Sequence, residues 1–190
     1  MGAVAAIIIA GGRSSRFGSD KLDLRDAQGR TLLQATVEAA TSVADPVIVV
    51  GPPRELSTEV TWLREEPAGG GPCAALITGL TAIPVGTSHV AVLAGDAPRG
   101  PDAVPALLTV IDDAAAATVT DSAGREQPIT AVYAVGPLRE ALAGYGSGDG
   151  MSVRQVLDDL RSQTVVSVID VWGACDDIDV LDDARRMGFA

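Results

Sequence analysis

The chain has 190 residues, 47% of them apolar and 21% charged, which is long enough to bury a full core and ordinary in composition for a globular protein. A net charge of −11 and an aromatic content of 3% argue against polyanionic partners, which would be repelled at range and find few rings to stack on, so neither nucleic acid nor an anionic membrane is expected. Two cysteines, Cys73 and Cys175, lack CxxC spacing and have a single histidine, His89, for company, so a disulfide or zinc framework is not expected.

In chain order, residues 4–10 read as a buried strand. The run lacks the basic flank and cleavage site of a secretory signal and is far short of the roughly 18 residues that span a bilayer, so a cytoplasmic protein is expected. A glycine-rich turn follows, then a helix over about 31–43. Residues 47–50 form a second strand, ended by Gly51-Pro52-Pro53, and 60–63 a weaker third. The turn Gly69-Gly70-Gly71-Pro72 leads into an alanine-rich helix over about 73–82. Residues 89–93 are another buried strand, running into the turn 94–98, and a helix follows over 101–111. Strands are expected at 118–119 and 129–135, with a polar hairpin at 121–127 between them. Helices at 138–142 and 152–160, a strand at 165–169 and a helix at 181–187 complete the chain. The stretch 144–150, with four glycines, reads as a flexible loop or lid.

This alternation implies one Rossmann-like α/β/α domain over residues 1–190: three layers, with a mostly parallel sheet covered on both faces. Ligands in such sheets lie at the carboxyl ends of the strands. The turns after Ala10, around Gly70 and after Ala94 are expected on that edge.

The strongest chemical signal is Ala10-Gly11-Gly12-Arg13-Ser14-Ser15-Arg16-Phe17-Gly18-Ser19-Asp20-Lys21. Consecutive glycines after a buried strand let the backbone approach a ligand and offer N–H groups to oxyanions. Arg16 and Lys21 add a planar fork and a point charge, both suited to phosphate. Although the protein is acidic, residues 1–30 carry Arg13, Arg16, Lys21, Arg25 and Arg30 against Asp20, Asp23 and Asp26, a local positive excess that suits a small anion. The spacing is neither that of a Walker A loop nor the dinucleotide GxGxxG. Asp96, in Leu93-Ala94-Gly95-Asp96-Ala97-Pro98, suits either a Mg²⁺ ion shared with phosphates or a turn cap.

The string GGRSSRFGSDK resembles the GGxSxRMGxDK signature of the MobA-like nucleotidyltransferases, with Phe17 where methionine is usual. Further pieces occur in the family's order. Residues 65–72, Glu-Glu-Pro-Ala-Gly-Gly-Gly-Pro, resemble its acidic–proline–GxGP turn, and the Asp96 turn resembles its strand ending in aspartate. Gln127-Pro128-Ile129-Thr130-Ala131-Val132-Tyr133 is similar to its QPLxALY strand, and Gly150-Met151-Ser152-Val153-Arg154 to its helix start.

The resemblance implies a Mg²⁺-dependent nucleotidyltransferase that uses a nucleoside triphosphate, GTP favoured, and a phosphorylated acceptor such as molybdopterin. By that carry-over Ala10, Gly11, Gly12, Arg13 and Ser14 would hold the nucleotide, and Arg16 and Lys21 its triphosphate. Asp96 would be the main metal ligand, and Glu66, or its neighbour Glu65, the nucleoside contact. Among the tail acids, Asp177 and Asp179 are the candidates to complete the metal site, against the plainer reading of helix-capping charges. The tail and the asparagine-free second loop leave cytidylyl or sugar-phosphate nucleotidyl transfer as the enzymatic rival. A nucleotide-binding module without a complete metal site is the non-enzymatic one. A monomer or weak homo-oligomer is expected. His89, Trp62 and Trp172 read as structural, Arg125 as a loop charge, and Arg154 as a possible lining of the acceptor cleft.

Overall fold

The computed structural model describes residues 3–11, 20–170, 172–178 and 180–190. Among the described residues, seven strands form one sheet: β1 (Val4–Ile9), β2 (Val47–Val50), β3 (Thr61–Leu63), β4 (His89–Ala94), β5 (Ala116–Thr120), β6 (Glu126–Ala134) and β7 (Val165–Ile169), in the order β3-β2-β1-β4-β6-β5-β7. Strands β3, β2, β1 and β4 pair in parallel, as do β5 and β7, while β6 runs antiparallel to both of its neighbours.

Alternate residues of a strand face opposite sides of a sheet, and β1 supplies both cores. Ala5, Ile7 and Ile9 join one apolar cluster with α2 (Pro72–Leu80), α4 (Val135–Leu142) and α5 (Val153–Leu160). Ala6 and Ile8 join the other, with α1 (Leu32–Thr41), α3 (Val104–Val110) and α6 (Leu181–Arg186). The result is the expected three-layer α/β/α architecture. Contact on the α2 face is close: a Cβ at Gly79 would come within 2.7 Å of the Ile7 side chain, so helix and strand meet there only because that residue is glycine.

Local chemistry fixes the helix starts. Thr31 caps α1 by accepting the Gln34 N–H at 3.1 Å. Ser152 and Gln155 form a reciprocal capping box on α5, with contacts of 3.3 Å and 2.9 Å, which satisfies two otherwise orphaned amides. The helix expected from residue 101 begins as a 3₁₀ turn, Gly100–Ala103, and becomes α-helical at Val104.

Three expectations need correction. Val135 starts α4 rather than ending a strand. The strand expected at 118–119 extends over Ala116–Thr120, where tertiary burial overrides the weak strand propensity of alanine. Finally, the glycine-rich stretch 144–150 is docked on α2: the Gly150 N–H donates to the Gly70 carbonyl at 2.9 Å, and a Cβ at Gly148 would lie 2.8 Å from the Ile77 side chain and 3.0 Å from the Ala74 nitrogen. Of its four glycines, Gly148 is the one that close packing requires.

Candidate active site

The chain runs from β1 outward through β2 to β3, then returns to place β4 on the other side of β1. The carboxyl ends of β1 and β4 therefore flank a topological switch point, where connecting loops diverge and leave a crevice. Gly11 follows β1 there and Asp96 follows β4. Because β6 is antiparallel, its first residues, Glu126 and Gln127, come to the same edge.

The backbone around this point is held at very short range. The Ala10 N–H donates to the Val50 carbonyl at 2.8 Å and the Gly95 N–H to the Ile9 carbonyl at 3.0 Å. A Cβ on Gly51 would fall 2.6 Å from both the carbonyl carbon and the oxygen of Ala10, and one on Gly95 would fall 3.2 Å from the Ile9 oxygen. Only glycine at position 51 lets the β2 turn lie against the Ala10–Gly11 peptide. From below, the buried Thr36 hydroxyl of α1 donates toward the Gly95 carbonyl at 3.0 Å.

Lys21 opens a 3₁₀ turn, Lys21–Asp23, capped by Asp20, whose carboxylate accepts the Leu22 N–H at 3.2 Å. Its ammonium is ion-paired with Asp96, and both side chains are 18% exposed. The structure thus brings together two of the expected catalytic residues, from loops 75 positions apart in sequence. Ala10 and Gly11 also lie at the crevice. Gly12, Arg13, Ser14, Arg16 and Asp179 fall outside the described residues.

Beside Gly11 lies a cavity of about 400 Å³, lined among others by Ile9, Gly11, Arg64, Glu65, Gly69 and Pro72. Its carboxylate is Glu65, 4% exposed. One oxygen, Oε1, accepts the Gly69 N–H at 2.8 Å. The other, Oε2, is buried and has no hydrogen-bond donor among the described residues, where the Arg64 Nε lies 3.8 Å away. Glu66 is exposed and does not line the cavity. Of the two adjacent acids it is Glu65 that faces this space.

The tail approaches from the β4 side. Asp170, at the end of β7, accepts the N–H groups of Trp172, Ala174 and Cys175 at 2.9, 3.0 and 2.8 Å. Burial alone would raise its pKa, but these amides hold it below the ordinary aspartate value. The loop so organised packs on the β4 turn, where a Cβ on Gly173 would meet the Arg99 guanidinium and the Asp176 carboxylate, each at 3.1 Å. Asp177 is exposed. The Cys175 thiol is pushed up to about 12 by burial and the adjacent Asp170 carboxylate, which leaves it un-ionised and unreactive near neutral pH.

Sequence reasoning did not single out Gly51, Asp170 or Arg54. A glycine directly after a buried strand was a usable signal for the first, and an aspartate ending a strand before a short turn for the second. The third, Arg54, acts across the fold and had no local signal.

For a divalent metal, Asp96 offers a hard carboxylate at the switch point. No group of three or more His, Cys, Asp or Glu side chains converges among the described residues. That donor set fits Mg²⁺, which commonly takes one or two carboxylates and completes its shell with phosphate oxygens and water. Among the described residues, no helix is long and apolar enough to cross a membrane.

Residues 6–165 match the family model described as "MobA-like NTP transferase domain". The chain is 31% identical over 168 residues to "Probable molybdenum cofactor guanylyltransferase" of Mycobacterium avium (strain 104), covering 86% of this chain and 85% of the relative. It is 35% identical over 158 residues to the protein of the same description from Chloroflexus aggregans, covering 74% and 71%. Among solved structures it is similar to molybdopterin-guanine dinucleotide biosynthesis protein A from Archaeoglobus fulgidus, with a TM-score of 0.71, 19% identity and coverage of 97% and 96%. It is similar also to a Mycobacterium tuberculosis protein crystallised with manganese, with a TM-score of 0.67, 18% identity and coverage of 98% and 97%.

Proposed function

The chain belongs to the MobA-like NTP transferase family and is a nucleotidyltransferase, and from that premise we propose that it transfers GMP from GTP to molybdopterin, with Mg²⁺ as the cofactor. The observation that carries the choice of base is the buried Glu65 carboxylate, whose Oε1 lies beside Gly11 and whose Oε2 lacks a donor among the described residues. A buried acceptor left without a donor is costly, so a ligand that supplies one gains correspondingly. The N1–H and N2–H₂ edge of guanine offers two donors side by side to such a carboxylate, whereas cytosine offers only its exocyclic amine. The relatives from Mycobacterium avium and Chloroflexus aggregans, at 31% and 35% identity, carry the guanylyltransferase description, which supports the same reading.

In this scheme guanine occupies the cavity and the triphosphate runs across the switch point toward Lys21. A phosphate oxygen of the acceptor attacks the α-phosphorus and forms the new P–O bond. The bond to the bridging oxygen of the β-phosphate breaks, and pyrophosphate leaves with the electron pair. Catalysis of this kind rests on in-line positioning and offset of charge. Asp96 would hold Mg²⁺, which would supply part of that offset. Lys21 binds and orients the departing phosphates, Ala10 and Gly11 bring backbone close to the nucleotide, and Gly51 and Gly95 hold that backbone in place.

The test is pyrophosphate release with molybdopterin, Mg²⁺ and each of the four nucleoside triphosphates. Turnover with GTP well above the others is expected. A clear preference for CTP would reject guanylyl specificity, and release with none of the four would favour a binding module.

A further inference from the structure

Arg54 follows the Gly51-Pro52-Pro53 turn at the end of β2, and its side chain is only 14% exposed. The guanidinium reaches the turn that carries Lys21 and grips both sides of it. One nitrogen donates to Asp23 Oδ1 at 2.6 Å, and another is hydrogen-bonded and ion-paired to Asp20 Oδ2. The other oxygen of Asp20 caps the same turn through the Leu22 N–H. Burial would lower the Arg54 pKa, but the hydrogen bonds and charge of Asp20 and Asp23 outweigh it and raise the value.

Lys21 therefore sits between two residues clamped to β2, and its ammonium pairs with Asp96 after β4. Arg54 itself points at carboxylates. Its effect on a triphosphate would pass through the lysine.

We propose that Arg54 is a positioning residue for nucleotidyl transfer: by bridging Asp20 and Asp23 it fixes the turn that presents Lys21, and so tunes affinity for the triphosphate and not for the nucleoside. The proposal rests on Lys21 being the triphosphate contact. A planar fork suits this task because it can hold two carboxylates in fixed geometry, which a lysine's single point charge does not.

The test uses a cycle in the full chain. Arg54→Met is combined with Asp23→Asn, so that the clamp is lost while local charge stays balanced. This pair is made with and without Lys21→Met, and binding of GTP and of guanosine is measured by calorimetry with Mg²⁺, alongside thermal unfolding. The clamp pair is expected to weaken GTP binding roughly tenfold and to leave guanosine affinity within about twofold. In the Lys21→Met background the same pair should cost GTP binding less than about twofold, because the residue it positions is gone. Arg54→Lys, which keeps the charge and is less disruptive to folding, should give an intermediate loss for GTP alone.

Wild-type GTP affinity in the clamp pair overturns the proposal. So does an equal loss for guanosine, which marks a general structural role, or a full tenfold loss in the Lys21→Met background. If Lys21→Met alone binds GTP as the wild type does, the assignment of the triphosphate site fails first, and the role of Arg54 falls with it.

Discussion

On the Lys21 side of the crevice, charges meet one another: Lys21 pairs with Asp96, and Arg54 bridges Asp20 and Asp23. On the Glu65 side, a carboxylate buried to 4% exposure keeps one oxygen without a donor among the described residues, beside a cavity of about 400 Å³. The first region is organised before any ligand arrives, which suits a task of holding charge in fixed geometry. The second is incomplete, which suits recognition, because only a ligand with the right donors satisfies the orphaned oxygen. Under the proposed function, one part of the site would set rate and the other would set which base is accepted.

The sharpest way to break that division is at Asp96. Asp96→Asn should lower kcat by about a thousandfold or more while leaving the preference among bases unchanged. Steady-state pyrophosphate release checks it, with circular dichroism to confirm the fold, and turnover near that of the wild type would move the chemistry elsewhere.

Glu65→Gln should do the reverse. It replaces an acceptor with an amide donor and should reduce discrimination of GTP over CTP by roughly ten- to hundredfold, with a smaller change in kcat for saturating GTP. Competition between the two triphosphates reads this directly. Glu66→Gln, at an exposed position outside the cavity, should leave discrimination within about twofold.

Gly51 joins the two regions, since it seats the β2 turn on the Ala10–Gly11 backbone. Gly51→Ala places a methyl carbon 2.6 Å from the Ala10 carbonyl and should destabilise the fold by about 2 kcal/mol. Urea denaturation measures this, and GTP and guanosine affinity should fall together, unlike the split expected at Arg54.

The smallest effect is expected in the tail. The depressed pKa of Asp170 means that its stabilising contribution is fully present above the unfolded aspartate value of about 3.9 and is lost as pH falls through the lower folded value. Asp170→Asn should cost about 1 kcal/mol at neutral pH. The gap in melting temperature from the wild type should close as the buffer is taken below about pH 3.9. A gap unchanged across that range would remove the carboxylate from the account of the loop.

The outline of the fold was legible because parallel strands buried on both faces read as unbroken apolar runs. The expected span of β2, 47–50, coincides with the observed one; so does that of β7, 165–169, although this edge strand is only partly buried and is interrupted by Ser167. Strand direction was not legible, since an apolar run has no polarity. Antiparallel β6 emerges only from its pairing, and the register shifts where Val119 is set against Gln127, next to Pro128, which lacks a donor for the ladder. The site divides in the same way. The glycine turn, Lys21 and Asp96 announced themselves through local motifs. The choice of Glu65 over Glu66 for the cavity depends on which way β3 delivers two adjacent acids, and the clamp of Arg54 on a turn more than 30 residues earlier depends on the tertiary fold.

A crystal of the protein with Mg²⁺ and a non-hydrolysable GTP analogue tests the central claim most directly. The account predicts the guanine edge within hydrogen-bond distance of Glu65, the phosphates over Lys21, and the metal on Asp96. A base bound away from the Gly11 cavity, or a triphosphate contacting neither Lys21 nor Asp96, would contradict it.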